Sequence, residues 1–252
     1  MSSSAAPPSN DPTIPSDLKS RIASSYDAIA TTYNAFTIQH NPIRTHYLSL
    51  LLSHLNLPER TTDATTSNVR IDMLELGCGA GNLSIPYLLS ASPSIHILGN
   101  DISSAQISLA RTNIPQHENS RVSFIHGDMT TLSLTPSTYT AVIALYSIMH
   151  LPRAEQSIQL QKATTWLTPG GYLLANFGAG EMEGGVNERW LGEENGWMFW
   201  SGWGVEGTKK MVEDAGLEIL VDEVKLEKED EVDKERSVEF FWVLARKPIS
   251  GE

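Results

Sequence analysis

The 252-residue sequence predicts an α/β domain built on a doubly wound, mostly parallel sheet. Three observations carry this expectation. Short apolar runs alternate with stretches of helical periodicity at the spacing of βαβ units. Those runs are apolar nearly throughout, as strands covered on both faces must be. The first run also passes directly into a loop with glycine at every second position, Gly77-Cys78-Gly79-Ala80-Gly81, ahead of a helix. This length holds one well-packed domain with a modest appendage.

Taken in order, residues 1–15 are rich in Ser, Pro and Ala and read as a disordered tail. Ser16 can cap a helix whose Leu18, Ile22, Tyr26, Ile29 and Tyr33 share one face. Asn41 and Pro42 open a second helix carrying Tyr47, Leu48, Leu51 and Leu55. With the polar linker at 61–68 these make an N-terminal helical cover and linker over residues 16–68. The main domain follows at 69–248, with strands near 69–76, 95–99, 122–125, 139–145 and 172–177 and helices between them. Ser103-x-x-Gln106 resembles a capping box at the start of one helix. From 178 to 204 the periodicity stops, and four tryptophans, Trp190, Trp197, Trp200 and Trp203, fall among glycines. A loop of that length is functional or mobile. A helix at 205–215 ends at Gly216. Two antiparallel strands at 217–226 and 238–246 close the chain, and the charged run between them, 227–236, reads as a solvated loop.

Composition removes several classes of function. Eighteen Lys and Arg stand against thirty Asp and Glu, a net charge of −12, which argues against a phosphate-backbone partner. The single cysteine, Cys78, excludes an intramolecular disulfide and a multi-thiolate zinc site and suits a reducing, cytoplasmic compartment. No apolar run approaches membrane-spanning length, and the N-terminus lacks a secretory signal pattern. The seven histidines are scattered, without His-Glu-x-x-His, so no metal is expected. The Gly-x-Ser-x-Gly elbow of serine hydrolases is absent.

The glycine loop is a cradle for a nucleotide-type ligand, because alternate glycines turn tightly and let a ligand approach the backbone. A dinucleotide fingerprint needs its third glycine where Asn82 stands. Asp101 ends the second strand, where a carboxylate can accept from two vicinal ribose hydroxyls or simply face solvent. Gly127-Asp128-Met129 follows the third strand. The fourth exits through Tyr146-Ser147-Ile148-Met149-His150-Leu151-Pro152-Arg153, on the side where ligands bind in open α/β sheets.

Glu75-x-Gly77-x-Gly79-x-Gly81, Asp101, Gly127-Asp128 and the 146–153 segment resemble, in order, the motifs of class I S-adenosylmethionine (SAM)-dependent methyltransferases, over roughly residues 20–247. The resemblance implies a Rossmann-like, seven-stranded sheet completed by an antiparallel C-terminal hairpin under an N-terminal helical cover. It implies SAM as cofactor and S-adenosyl-L-homocysteine as product. Gly77, Cys78, Gly79 and Gly81 would form the cofactor loop, oriented by Glu75. Asp101 with Ile102 would lie at the ribose, Asp128 and Met129 at the adenine, and Tyr33 and Tyr146 at the methionyl end. Tyr26, His150, Arg153, Trp190, Trp197 and Trp200 would line an aromatic acceptor pocket, although Tyr26, Tyr33 and the tryptophans can equally be packing residues.

Methyl transfer is an in-line displacement that rests on positioning and water exclusion. A protic acceptor also needs a base, for which His150 is the best-placed residue, unless it bonds a loop carbonyl instead. Arg153 can hold an acidic acceptor or pair with a surface carboxylate. The expected activity is methyl transfer to a small-molecule acceptor, with no nucleic-acid and no membrane partner. The alternatives are a SAM-binding regulator or partner subunit without transferase activity, and an NAD-type oxidoreductase.

Overall fold

Alternation within single strands builds the two faces of the sheet. Along β1 (Ile71–Leu76), Ile71 and Met73 enter one apolar cluster, while Leu74 and Leu76 enter another. The computed structural model describes residues 14–55, 57, 70–114, 121–231 and 234–249. The linker at 61–68 and all but the last two residues of the expected tail lie outside the described residues.

Seven strands form the sheet. Besides β1 these are β2 (Ile95–Asp101), β3 (Val122–His126), β4 (Tyr139–Ala144), β5 (Leu167–Gly178), β8 (Glu218–Glu231) and β9 (Lys234–Arg246). Their order is β3-β2-β1-β4-β5-β9-β8. The first five are parallel neighbours, and β9 runs antiparallel between β5 and β8. Side chains of α3 (Asn41–His54), α4 (Ser84–Ala91) and α5 (Ser104–Asn113) pack on one face, where Tyr47 stacks on Trp242 with ring centroids 4.2 Å apart. Those of α6 (Arg153–Trp166) and α7 (Gly204–Asp214) pack on the other. Ser103 caps α5 as expected, its hydroxyl accepting from the Gln106 N–H at 3.1 Å.

Three elements differ from the sequence reading. The first cover helix breaks at Ile29 into α1 (Leu18–Ala28) and α2 (Ala30–Phe36), and its N-cap is Asp17 rather than Ser16. The 178–204 segment is not structureless: β6 (Glu181–Asn187) and β7 (Met198–Trp203) pair as an antiparallel hairpin, with a register shift between Met182 and Gly185. Glycines and that irregularity hide its alternation. Within the charged run 227–236 the described residues, 227–231 and 234–236, are not a loop but the paired ends of β8 and β9, and Glu227 is buried. On β8 the usual polarity is inverted: Glu223 and Glu227 bond inward, to Tyr47 and His40, while Val224 and Leu226 face solvent.

A third apolar cluster joins the chain's beginning to the β6–β7 insertion. Leu18, Ile22, Tyr26 and Ile29 pack against Trp190, Trp197, Met198 and Phe199. This roof lies over the carboxyl ends of the parallel strands. Asp27 fastens it to the start of α5, accepting from Ser103 Oγ at 2.6 Å, Ser104 Oγ at 3.0 Å and the Ala105 N–H at 2.9 Å, a favourable place for an anion.

Candidate cofactor cleft and acceptor cavity

Main-chain bonds hold the glycine loop to the tip of β2. The N–H groups of Gly77 and Cys78 donate to the Asn100 carbonyl at 2.8 and 2.9 Å, and that of Gly79 donates to Asp101 Oδ2 at 2.8 Å. Gly77, at φ +72°, meets the side chain of Ser147, so an added Cβ there would collide with the exit of β4. The loop and the β4 exit thus form the two walls of a cleft. Asp101 Oδ1 accepts from the Ser103 N–H at 2.9 Å, and burial raises the carboxyl to about 6.

At the loop's far end two groups lack complementary partners. Glu75 is 3% exposed, and its Oε2 has no hydrogen-bond partner among the described residues. Burial lifts its carboxyl to about 7, against smaller opposing effects of Ser84 and the Arg44 charge. Arg44, from α3, lines the same part of the cleft as Glu75 and Gly77–Gly81, and its buried Nε is likewise unpartnered. The unpartnered Glu75 Oε2 and Arg44 Nε, which line one stretch of the cleft, suit a ligand end carrying both an ammonium and a carboxylate, as methionine does. The other end is lined by Ile102, Asp128 and Met129, with Asp101 between. Asp128 is already engaged: it accepts from the Thr130 N–H at 2.8 Å, Thr130 Oγ1 at 2.7 Å and Lys19 Nζ at 2.9 Å. Burial works to raise its carboxyl, but these donors outweigh it and hold the group below its ordinary value.

A second cavity of about 470 Å³ adjoins the cleft, and Tyr26, Tyr33, Tyr146 and His150 line both. Phe36, Trp190, Trp200 and Phe240 give the cavity aromatic walls, while His40 and Arg44 add polar groups. Tyr146 stands between the two spaces in a left-handed conformation, φ +51°, and such backbone strain clusters at functional sites. Its N–H donates to Asn176 Oδ1 at 2.6 Å and its hydroxyl to Glu227 Oε2 at 2.7 Å.

Several expected pocket residues take other roles. His150 faces the cavity, but both ring nitrogens are occupied. Nδ1 lies 2.8 Å from the Phe199 carbonyl, which only accepts, so Nδ1 carries the proton and Nε2 accepts from the Tyr26 hydroxyl at 2.9 Å. Burial lowers the imidazole to about 4, leaving a neutral ring that ties the roof together and is a poor base. Arg153 lines neither space. Its Nε donates to the carbonyls of Gly202 at 2.9 Å and Met182 at 3.2 Å, it pairs with Glu181 and Glu183, and so it clamps α6 to the β6–β7 hairpin. Trp197 is roof core, covered by the Arg21 guanidinium 4.0 Å above its ring. Sequence reasoning missed Arg44, His40 and Glu227. Each belongs to an element read as cover or solvated loop, and only the inverted alternation of β8 signalled that Glu227 turns inward.

A doubly wound sheet closed by an antiparallel hairpin, with its ligand cleft across the glycine loop, has the architecture of a class I SAM-dependent methyltransferase. The family described as a methyltransferase domain, Methyltransf_25, matches residues 73–171. Residues 73–171 thus match a methyltransferase domain, and the fold of the described residues is that of the class I SAM-dependent methyltransferases. In fold it is similar to magnesium protoporphyrin IX methyltransferase (ChlM) of Synechocystis PCC 6803 with bound SAH, at 16% identity and a TM-score of 0.64 over 92% of this chain and 100% of that one. Among curated proteins it is 31% identical over 108 residues to tRNA N(3)-methylcytidine methyltransferase trm141 of Schizosaccharomyces pombe, covering 41% of this chain and 43% of the relative. It is 24% identical over 127 residues to tRNA N(3)-cytidine methyltransferase METTL2 of Gallus gallus, covering 49% of this chain and 34% of the relative. The chain thus spans less than half the length of either relative it matches.

These relatives overturn the expectation of a small-molecule acceptor and no nucleic-acid partner, since both are named for tRNA. The expectation rested on net charge, which averages over the whole surface. An acceptor is recognised by the local field and shape of its pocket. Among the described residues no helix is long and apolar enough to cross a membrane.

Proposed function

We propose that this chain transfers the methyl group of SAM to a flat, aromatic acceptor group seated in the 470 Å³ cavity, and that the acceptor is a base of tRNA. The observation that carries this is that Tyr26, Tyr33, Tyr146 and His150 line both spaces, so the cavity adjoins the cofactor cleft. When bound, SAM supplies an activated methyl on a sulfonium. The chain's own residues do the rest. Glu75 and Arg44 bind the methionyl ammonium and carboxylate, Asp101 accepts from the ribose hydroxyls, and Ile102, Asp128 and Met129 take the adenine. Gly77, Gly79 and Gly81 supply the close backbone.

Trp190 and Trp200, with ring centroids 5.5 Å apart at 85°, form a corner against which a flat ring packs. Aromatic stacking on a base contributes about 1–3 kcal/mol without reading its sequence. A base within folded RNA reaches an enclosed cavity only when everted, so an exposed loop nucleotide is the favoured target. The single cysteine supports a cytoplasmic setting.

The test is calorimetric titration with SAM, followed by incubation with methyl-tritiated SAM and total tRNA. Label in a ribonuclease-released modified nucleoside is the expected result. SAM binding with label only in the small-molecule fraction of the same extract overturns the tRNA acceptor. Binding without transfer to any fraction favours a SAM-binding regulator, and failure to bind SAM overturns the cofactor reading.

A further inference from the structure

A second histidine stands in the acceptor cavity with the geometry that His150 lacks. His40, in the short 3-10 turn between α2 and α3, places Nδ1 2.7 Å from Glu227 Oε2, and both side chains are 5% exposed. A carboxylate only accepts, so Nδ1 carries a proton. In the neutral form of the ring the lone pair is then on Nε2, which bonds no described residue. Glu227 is itself fixed by two further donors, the Tyr146 hydroxyl on Oε2 at 2.7 Å and Trp242 Nε1 on Oε1 at 3.1 Å. Three donors on one buried carboxylate hold it in one orientation. The His40 ring lies 5.3 Å from that of Tyr146, the residue lining both cleft and cavity, so the pair sits beside the passage between cofactor and acceptor.

We propose that His40 and Glu227 form a proton-accepting dyad for methyl transfer, with His40 Nε2 as the base and Glu227 orienting the ring and stabilising the imidazolium. This rests on the reading of the chain as a methyltransferase. In the step, the lone pair of the acceptor's nucleophilic atom forms the new bond to the methyl carbon while the carbon–sulfur bond breaks. The bonding electrons of the latter stay on sulfur as a neutral thioether. The proton of the nucleophile passes to His40 Nε2, and the imidazolium rests against the Glu227 carboxylate. The arrangement is that of a base oriented by an acid through its far nitrogen. It selects an acceptor whose nucleophile enters with a proton, a hydroxyl or an N–H; N3 of cytidine, the atom named for both tRNA relatives, carries none, so the dyad implies that this chain methylates a different atom. Tyr146 and Trp242 act here as positioning residues, through Glu227.

His40→Gln and Glu227→Gln test the dyad in the full chain, with total tRNA as acceptor probe. For His40→Gln a fall of about 100-fold or more in the single-turnover rate is expected, with SAM affinity by calorimetry within about twofold of wild type. Glu227→Gln is expected to fall between that variant and wild type. Unchanged turnover in His40→Gln overturns the dyad and leaves the methyltransferase reading intact. A second measurement does not depend on the acceptor. In protein labelled with ¹⁵N-histidine, the signal missing from His40→Gln is expected to report, for the neutral ring, a proton on Nδ1 and a bare Nε2. The opposite tautomer overturns the proposal, even in protein that binds SAM and labels no tRNA.

Discussion

Replacing Glu75 by glutamine separates the cost of the cofactor loop's anchor from its benefit. The carboxyl is almost wholly buried and one oxygen finds no donor, so burial raises it from 4.5 to about 7. At 1.36 kcal/mol per tenfold change in proton affinity, holding the charged form inside the folded chain costs about 3 kcal/mol. Between those two values the folded protein keeps a proton that the unfolded chain releases. Stability from this group is therefore complete below pH 4.5 and is lost as pH rises through 7. Glutamine has nearly the same shape and no charge at any pH. Urea unfolding of the ligand-free wild type and Glu75→Gln at pH 5 and 8.5 gives the measurement, and Asp101 and the other carboxyls cancel in the comparison. The stability difference is expected to move by about 2.5 kcal/mol in the variant's favour on going to pH 8.5. SAM should reverse this, binding wild type more tightly as pH rises through 7 while the variant stays weak and flat. A stability difference equal at the two pH values would refute the argument, because Glu75 would then not be paying a burial cost.

Asp101→Asn keeps one oxygen for the loop but substitutes a donor for the other, and calorimetry should show SAM affinity reduced by about 10-fold or more, corresponding to about 1.5–3 kcal/mol for a hydrogen bond to a charged group. Arg153→Met removes a clamp rather than a ligand, so it should lose about 2–4 kcal/mol in urea unfolding with SAM affinity unchanged. Lost transfer at full stability would instead return Arg153 to the acceptor site. Trp200→Leu should raise the KM for tRNA about 10-fold through lost stacking, with SAM affinity intact, and an unchanged KM would remove that ring from the acceptor wall.

The parallel core was legible because its strands are long apolar runs, and burial on both faces leaves them no other composition. Gly77, Gly79 and Gly81 were legible for a different reason: all three adopt positive φ, a demand that the residue type itself announces. Strand order places Asp101 next to that loop, where its carboxylate accepts from the Gly79 N–H. The acceptor side was read less well. Trp190 and Trp197 have the same composition signature, yet one lines the cavity and the other fills the roof, a distinction made by the fold of β6 and β7. Arg153 looked like a ligand because a buried charge usually has a task, but its task is to bind two carbonyls. Glu227 was read as solvated because charge runs on β-strands normally face water, and on β8 the apolar residues do so instead.

The roof has a consequence for the order in which the molecule is completed. Tyr26 reaches His150 across 124 residues of chain, and His40 reaches Glu227 across 187. Contacts so distant in sequence require large loops to close and come late and slowly, whereas neighbouring βα units form through local ones. On a ribosome the glycine loop and Asp101 emerge and can assemble while β8 is still unsynthesised. Until β8 and β9 emerge, His40 has no Glu227 to meet, so the cavity wall that this pair forms is among the last parts of the fold to be built.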